Sequence, residues 1–170
     1  MSVARNLADS VGSSGLILPT GSVLQVQSTH NSTAKAITAA HTSDGEASGL
    51  SISITPTSVT SKFLILVKLS MSNPNGNYIG FRLRRGSTEI ASGSGKTYNA
   101  HTVQYFNAND GGDSSVVNAP MGMFEDDPDT SSSITYSVYA FVSGGTGYIN
   151  RRTTDDTSVT SSMTVMEVAG

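Results

Sequence analysis

Residues 92–97, SGSGKT, end in the Gly-Lys-Thr that closes a nucleotide-binding P-loop, where lysine reaches the phosphates and the hydroxyl holds magnesium. Such a loop needs a further glycine five positions ahead of Gly95, and it must open a helix whose first amides face the anion. Ile90 stands at the glycine position, and YNAHTVQYFNANDGGD after Thr97 carries no apolar stripe at helical spacing. SGSGKT therefore reads as a connection between two strands, and no nucleotide is expected.

Acidic side chains are the next candidates. Glu125-Asp126-Asp127-Pro128-Asp129 is the densest acidic run, and Asn107, Asn109, Asp110 and Asp113 precede it in a glycine-containing segment. Calcium takes roughly six to eight oxygen ligands from loops of this composition. Neither segment has the Asp-x-Asp-x-Asp-Gly register with a distal glutamate, so both read as solvated turns and no metal is expected. His30, His41 and His101 lie far apart, outside any short metal-binding spacing, and read as surface or interface residues. Gly93-Ser94-Gly95 lacks the spacing of a nucleophile elbow. Asp155 and Asp156 are adjacent and cannot flank one glycosidic bond. No catalytic residue and no cofactor are expected, and the chain reads as not an enzyme.

Composition narrows the classes. The chain has 170 residues, enough for one domain with a sizeable core, or one domain and an arm. Only 14% of residues are charged and the formal net charge is −3, which excludes the basic footprint of a nucleic-acid binder. Without cysteine, neither disulfides nor thiolate metal sites can hold it. MSVARNLADSVGSSGLILPTG has no continuous apolar region of signal-peptide length, and no run approaches the ~20 apolar residues of a membrane span. The expectation is a chain made in a cytoplasm with no membrane partner.

The elements that must position any site are strands. In SKFLILVKLSM, Phe63, Ile65, Val67, Leu69 and Met71 fill one face, while Leu64 and Leu66 on the other give way to Lys68. Leu50, Ile52 and Ile54 alternate with serines, and Ile79, Phe81 and Leu83 alternate with Gly80, Arg82 and Arg84. Arg85-Gly86-Ser87-Thr88 is a tight turn into Glu89-Ile90-Ala91. Ile134, Tyr136, Val138, Ala140 and Val142 line one face of a further strand, Tyr148 to Arg152 follow a Gly144-Gly145-Thr146-Gly147 turn, and Val159 to Val168 finish the sheet. GSVLQVQS supplies a first strand; TAKAITAA fits a short helix or a strand edge. About eight strands separated by Gly, Asn, Asp, Ser and Pro predict an all-β fold, an antiparallel β-sandwich of jelly-roll type. Residues 1–20 read as an arm, with Ala4, Leu7, Ala8 and Val11 at helical spacing, and residues 21–170 as the sandwich head.

Four segments carry a resemblance: GSVLQVQS, GLSISITPTSVTSKFLILVKLS, the FRLRRGSTEIASG hairpin and the terminal SSMTVMEVAG. In order and spacing over residues 21–170 the chain resembles a family of small phage virion proteins, which are similar in plan to trimeric jelly-roll heads of the tumour-necrosis-factor type. They occur as capsid-decorating (cement) proteins or as tail-fibre tips. The resemblance implies a virion location, a homotrimer, and phage capsid or tail proteins as partners. It brings no catalytic residue.

Within that frame, Leu7, Val11, Leu16, Ile17 and Leu18 are the candidate apolar anchor of the arm on the virion. Arg82 and Arg84 share a strand face and are candidate contacts to acidic side chains of a neighbouring subunit or the capsid. Tyr139 and Phe141 lie opposite Tyr136 and Val138, so their strand is apolar on both faces; one side is expected on a second sheet and the other on a partner chain. A heptad or triple-helical shaft is absent, which favours a trimeric cement protein stabilising the head. The alternative is a tail-fibre head that binds a host surface glycan through loops 107–115 and 125–131. A carbohydrate-binding module would want aromatic platforms, and the chain has no tryptophan.

Overall fold

The computed structural model describes residues 11–12, 15–16, 18–73, 77–93, 102–106, 119–152 and 158–170. Two two-residue strands, β1 (Val11–Gly12) and β2 (Gly15–Leu16), pair with each other in the arm. The body holds β3 (Val23–Asn31), β4 (Lys35–Ile37), β5 (Glu46–Ile54), β6 (Lys62–Lys68), β7 (Met71–Ser72), β8 (Tyr78–Arg85) and β9 (Thr88–Ile90). It continues with β10 (Val103–Phe106), β11 (Met121–Asp126), β12 (Ile134–Val142), β13 (Gly147–Ile149) and β14 (Ser161–Val168). All the described secondary structure is β.

Two antiparallel sheets face each other, one ordered β11-β6-β14-β3 and the other β10-β8-β12-β5, with β9 turning back onto β8. Among the eight long strands of the sandwich the first pairs with the last, β3 with β14. The second pairs with the second-last, β5 with β12, and so inward through β6 with β11 to β8 with β10. That nesting of a folded-over hairpin is the jelly roll that the alternation predicts. A small sheet, β4-β13-β7, closes one end.

The core follows from period two. Phe63, Ile65, Val67, Leu69 and Met71 are fully buried, and so are Ile79, Phe81, Leu83, Tyr136 and Ala140 from the facing sheet. Each buried Phe, Ile, Leu, Val or Met side chain contributes roughly 1.5–3 kcal/mol by leaving water, which holds the two layers together. TAKAITAA resolves as β4, whose Ile37 is sealed into the core by β13.

Three departures from the sequence reading matter. Val11, expected at the end of a helical stretch, is extended and pairs with Leu16. Residues 121–126 form β11, which takes in the first two residues of the acidic stretch 125–129 expected as a turn, and Val103–Phe106 form β10 in a segment where no strand was expected. Leu7, Ile17, His101, loop 107–115 and most of SGSGKT lie outside the described residues; only Ser92 and Gly93 of that motif fall within them.

Polar ties lock the end nearest the arm. Near the arm, Asp126 on one sheet accepts from Arg85 Nη1 at 2.9 Å and from the Tyr136 hydroxyl at 2.7 Å on the other. At the same end Glu167, fully buried, accepts from the Thr57 amide and hydroxyl at 2.7 and 2.6 Å and from Gln25 Nε2. Burial pushes the Glu167 carboxyl up, but the hydrogen bonds it accepts, those from Thr57 and Gln25 among them, outweigh it and hold the group below its usual range.

Candidate interaction surface

Each sheet has one face in the core and one outside, and the two outer faces differ in what covers them. On β8, Arg82 and Arg84 point away from Phe81 and Leu83, as alternation requires. The β8–β12 register sets Arg82 opposite Tyr139, with Phe141 one step along the diagonal. The guanidinium carbon of Arg82 stands 4.7 Å from the Phe141 ring centre, and that of Arg84 4.6 Å from the Tyr139 ring centre. The four candidate contact residues thus form a single cation–π ladder.

That ladder is roofed by its own chain. Residues 41–45, between β4 and β5, cross the face: Arg82 Nη1 donates to the Ser43 carbonyl at 2.6 Å and Nη2 to the His41 carbonyl, while Nε pairs with Glu89 at 3.1 Å. Arg84 pairs with Asp44 at 2.9 Å. Arg82 is only 7% exposed and Phe141 is fully buried. Where acidic side chains of a neighbouring subunit or the capsid were expected, the carboxylates paired with Arg82 and Arg84 are Glu89 and Asp44 of the same chain. Burial raises the Glu89 carboxyl above its ordinary value against the pull of Arg82 and Arg84.

Among the described residues, the other outer face stands open. Across β11-β6-β14-β3 one row reads Glu125, Leu64, Met166, Val26 and the next Met123, Leu66, Thr164, Ser28. Met121 flanks them beside Lys68. Met121 is 71% exposed, Met123 65% and Val26 54%, while Leu64, Leu66 and Met166 are partly exposed between them. Charge is confined to the rim, where Lys62 and Glu125 pair at 3.1 Å. A contiguous apolar surface with a polar border is how a soluble chain presents an association site.

The sequence reading passed over this face because it took residues 125–129 for a turn. The signal was present: Met121, Met123 and Glu125 alternate with Gly122, Phe124 and Asp126. No group of three or more His, Asp or Glu able to hold a metal occurs among the described residues. Asp126 is committed to Arg85 and Tyr136, and Glu125 to Lys62.

No protein-family model matches the chain. No curated protein matches it either. Among solved structures it is similar to the crystal structure of the infectious bursal disease virus VP2 subviral particle, with 13% identity and a TM-score of 0.37. The match covers 86% of this chain and 33% of that one, so this chain spans about a third of that neighbour's length.

Proposed function

We propose that this chain is a non-enzymatic structural protein of a bacteriophage particle, a capsid-decorating protein that acts as a homotrimer and reinforces the head. The bare apolar face of β11-β6-β14-β3 carries the reading. A surface of Leu, Met and Val that the fold leaves in water gains by closing against copies of itself, and a closed cyclic assembly removes all such surface at once. The resemblance to phage virion proteins supports the same sheet. GSVLQVQS, SKFLILVKLS and SSMTVMEV are distant in sequence, yet they build β3, β6 and β14, which are neighbours in that sheet.

As a trimer the head would present three arms to the shell together, so that modest individual contacts give a long-lived attachment. Light scattering on the purified chain tests the oligomer, and cryo-electron microscopy of the intact particle tests the location. Trimeric density on the capsid lattice is expected. A monomer at micromolar concentration would sink the assembly reading. Density at a fibre tip would move the protein to a receptor-binding role on a host surface glycan.

A further inference from the structure

The fold gives the head a polarity that the sequence does not. Residues 18–22 enter the body beside the C-terminal residues: the Gly21 amide donates to the Ala169 carbonyl and the Ala169 amide to the Ser22 carbonyl, both at 2.8 Å. The 55–61 connection and the acidic 127–133 connection lie at the same end, since β5 and β11 end there and β6 and β12 begin there. The segments 32–45 and 143–152 lie at the opposite end, a strand length away, which for a nine-residue strand is roughly 30 Å.

Exposed apolar side chains mark the arm end. Of six large hydrophobic residues that stand exposed among the described residues, three are there: Leu18 at 41%, Val59 at 49% and Val23 at 54%. Leu18 lines a shallow hollow with Leu24, Thr57, Thr60, Ala169 and Gly170, so the root of the arm and the Val59 loop make one surface. Asp127 and Asp129 are exposed at its side, and Asp127 is close enough to Lys62 to act on its charge.

We propose that this arm-end surface, centred on Leu18 and Val59, is what seats on the capsid shell, and that its partner is a shell-protein surface apolar at the centre with basic groups at the rim. The inference rests on the capsid-decorating reading and adds which end faces inward. A partner gripped by the apolar residues ahead of Leu18 is tethered to this end, and effective concentration is highest where the tether is rooted. The apolar surface already exposed there meets that partner first, and the acidic border favours a basic one. Loop 125–131 then faces the shell, and receptor or solvent contact falls to the 32–45 and 143–152 end.

The test is binding of the full chain to capsids of the parent phage assembled without this protein, measured by co-sedimentation, with light scattering on each variant. Leu18→Asp and Val59→Asp are expected to weaken capsid binding by about tenfold or more while leaving the oligomer unchanged. Val59→Ser gives a smaller loss in the same direction, and Ala34→Asp at the opposite end binds like the parent chain. Undiminished binding by both aspartate variants, or loss confined to Ala34→Asp, overturns the inference and leaves the capsid-decorating reading standing. Failure of the parent chain itself to bind capsids overturns both.

Discussion

The guanidinium carbon of Arg82 stands 4.7 Å from the Phe141 ring centre, while its two Nη groups donate to the Ser43 and His41 carbonyls of the same chain. An arginine on the outer face of a sheet has thereby become part of the interior, with Glu89 as its ion-pair partner.

Removing that arginine should therefore cost far more than a surface charge does. Arg82→Ala leaves two carbonyls and a poorly hydrated carboxylate without their donor, and is expected to destabilise the fold by about 3 kcal/mol. Asp44→Ala, which removes an ion-pair partner whose side chain is 90% exposed, should cost at most about 0.5 kcal/mol. Urea unfolding of both variants checks the contrast, and equal losses would refute the roofed-ladder account.

The acid limb of stability should belong in part to Glu167. Its folded carboxyl lies below the ordinary 4.5, so between that value and its folded one the unfolded chain binds more protons, and stability falls as pH falls. Glu89 acts with the opposite sign: its folded carboxyl lies above 4.5, so its contribution is complete below that value and is lost as pH rises through the folded one. Unfolding free energies measured from about pH 3 to 7 should show a flatter acid limb for Glu167→Gln and a steeper one for Glu89→Gln. A Glu167→Gln profile parallel to that of the parent chain would count against this assignment.

Two glycines with positive φ should respond differently to substitution. Gly45 has φ +82°, and a Cβ there would meet the Ala140 carbonyl oxygen at 2.9 Å. Gly45→Ala is expected to lose about 2 kcal/mol and to loosen residues 41–45 over the arginine ladder. Gly86, at φ +57° with nothing within 4 Å of the same position, should accept asparagine for under about 1 kcal/mol. Thermal melting separates the two, and melting points shifted equally would contradict the difference in space.

If the bare face holds the oligomer, a charge at its centre should dissolve it without unfolding the subunit. Leu66→Lys is expected to give a monomer by light scattering, with an unchanged far-ultraviolet spectrum, because Leu66 is outward-facing and only partly covered within the chain. Tyr139→Ala, on the roofed face, should leave the oligomer intact. The reverse pattern would move the interface to the arginine ladder.

Much of the architecture is legible in the residues. Alternation in SKFLILVKLSM, GLSISI and YIGFRLRR specifies strands and their inner faces, because a side chain's side of a strand depends only on its parity. The turn chemistry of Arg85-Gly86-Ser87-Thr88 sets the β8–β9 hairpin in the same local way. Residues 121–126 were missed because five acidic or proline residues crowd the 125–129 stretch and mask an alternation that starts four residues earlier.

Arg82 and Leu66 mark where the sequence stops. Both occupy outward positions on their strands, and by residue type the arginine belongs in water and the leucine out of it. The structure does the opposite, burying Arg82 to 7% exposure and leaving Leu66 partly open. Parity along each strand is local and was fixed by the amino acids themselves. What crosses a finished face is not local: residues 41–45 bring carbonyls that satisfy the Arg82 guanidinium, while no described strand covers Leu66. That choice arises only once the sheets have formed, since it depends on contacts between segments about 40 residues apart in the chain.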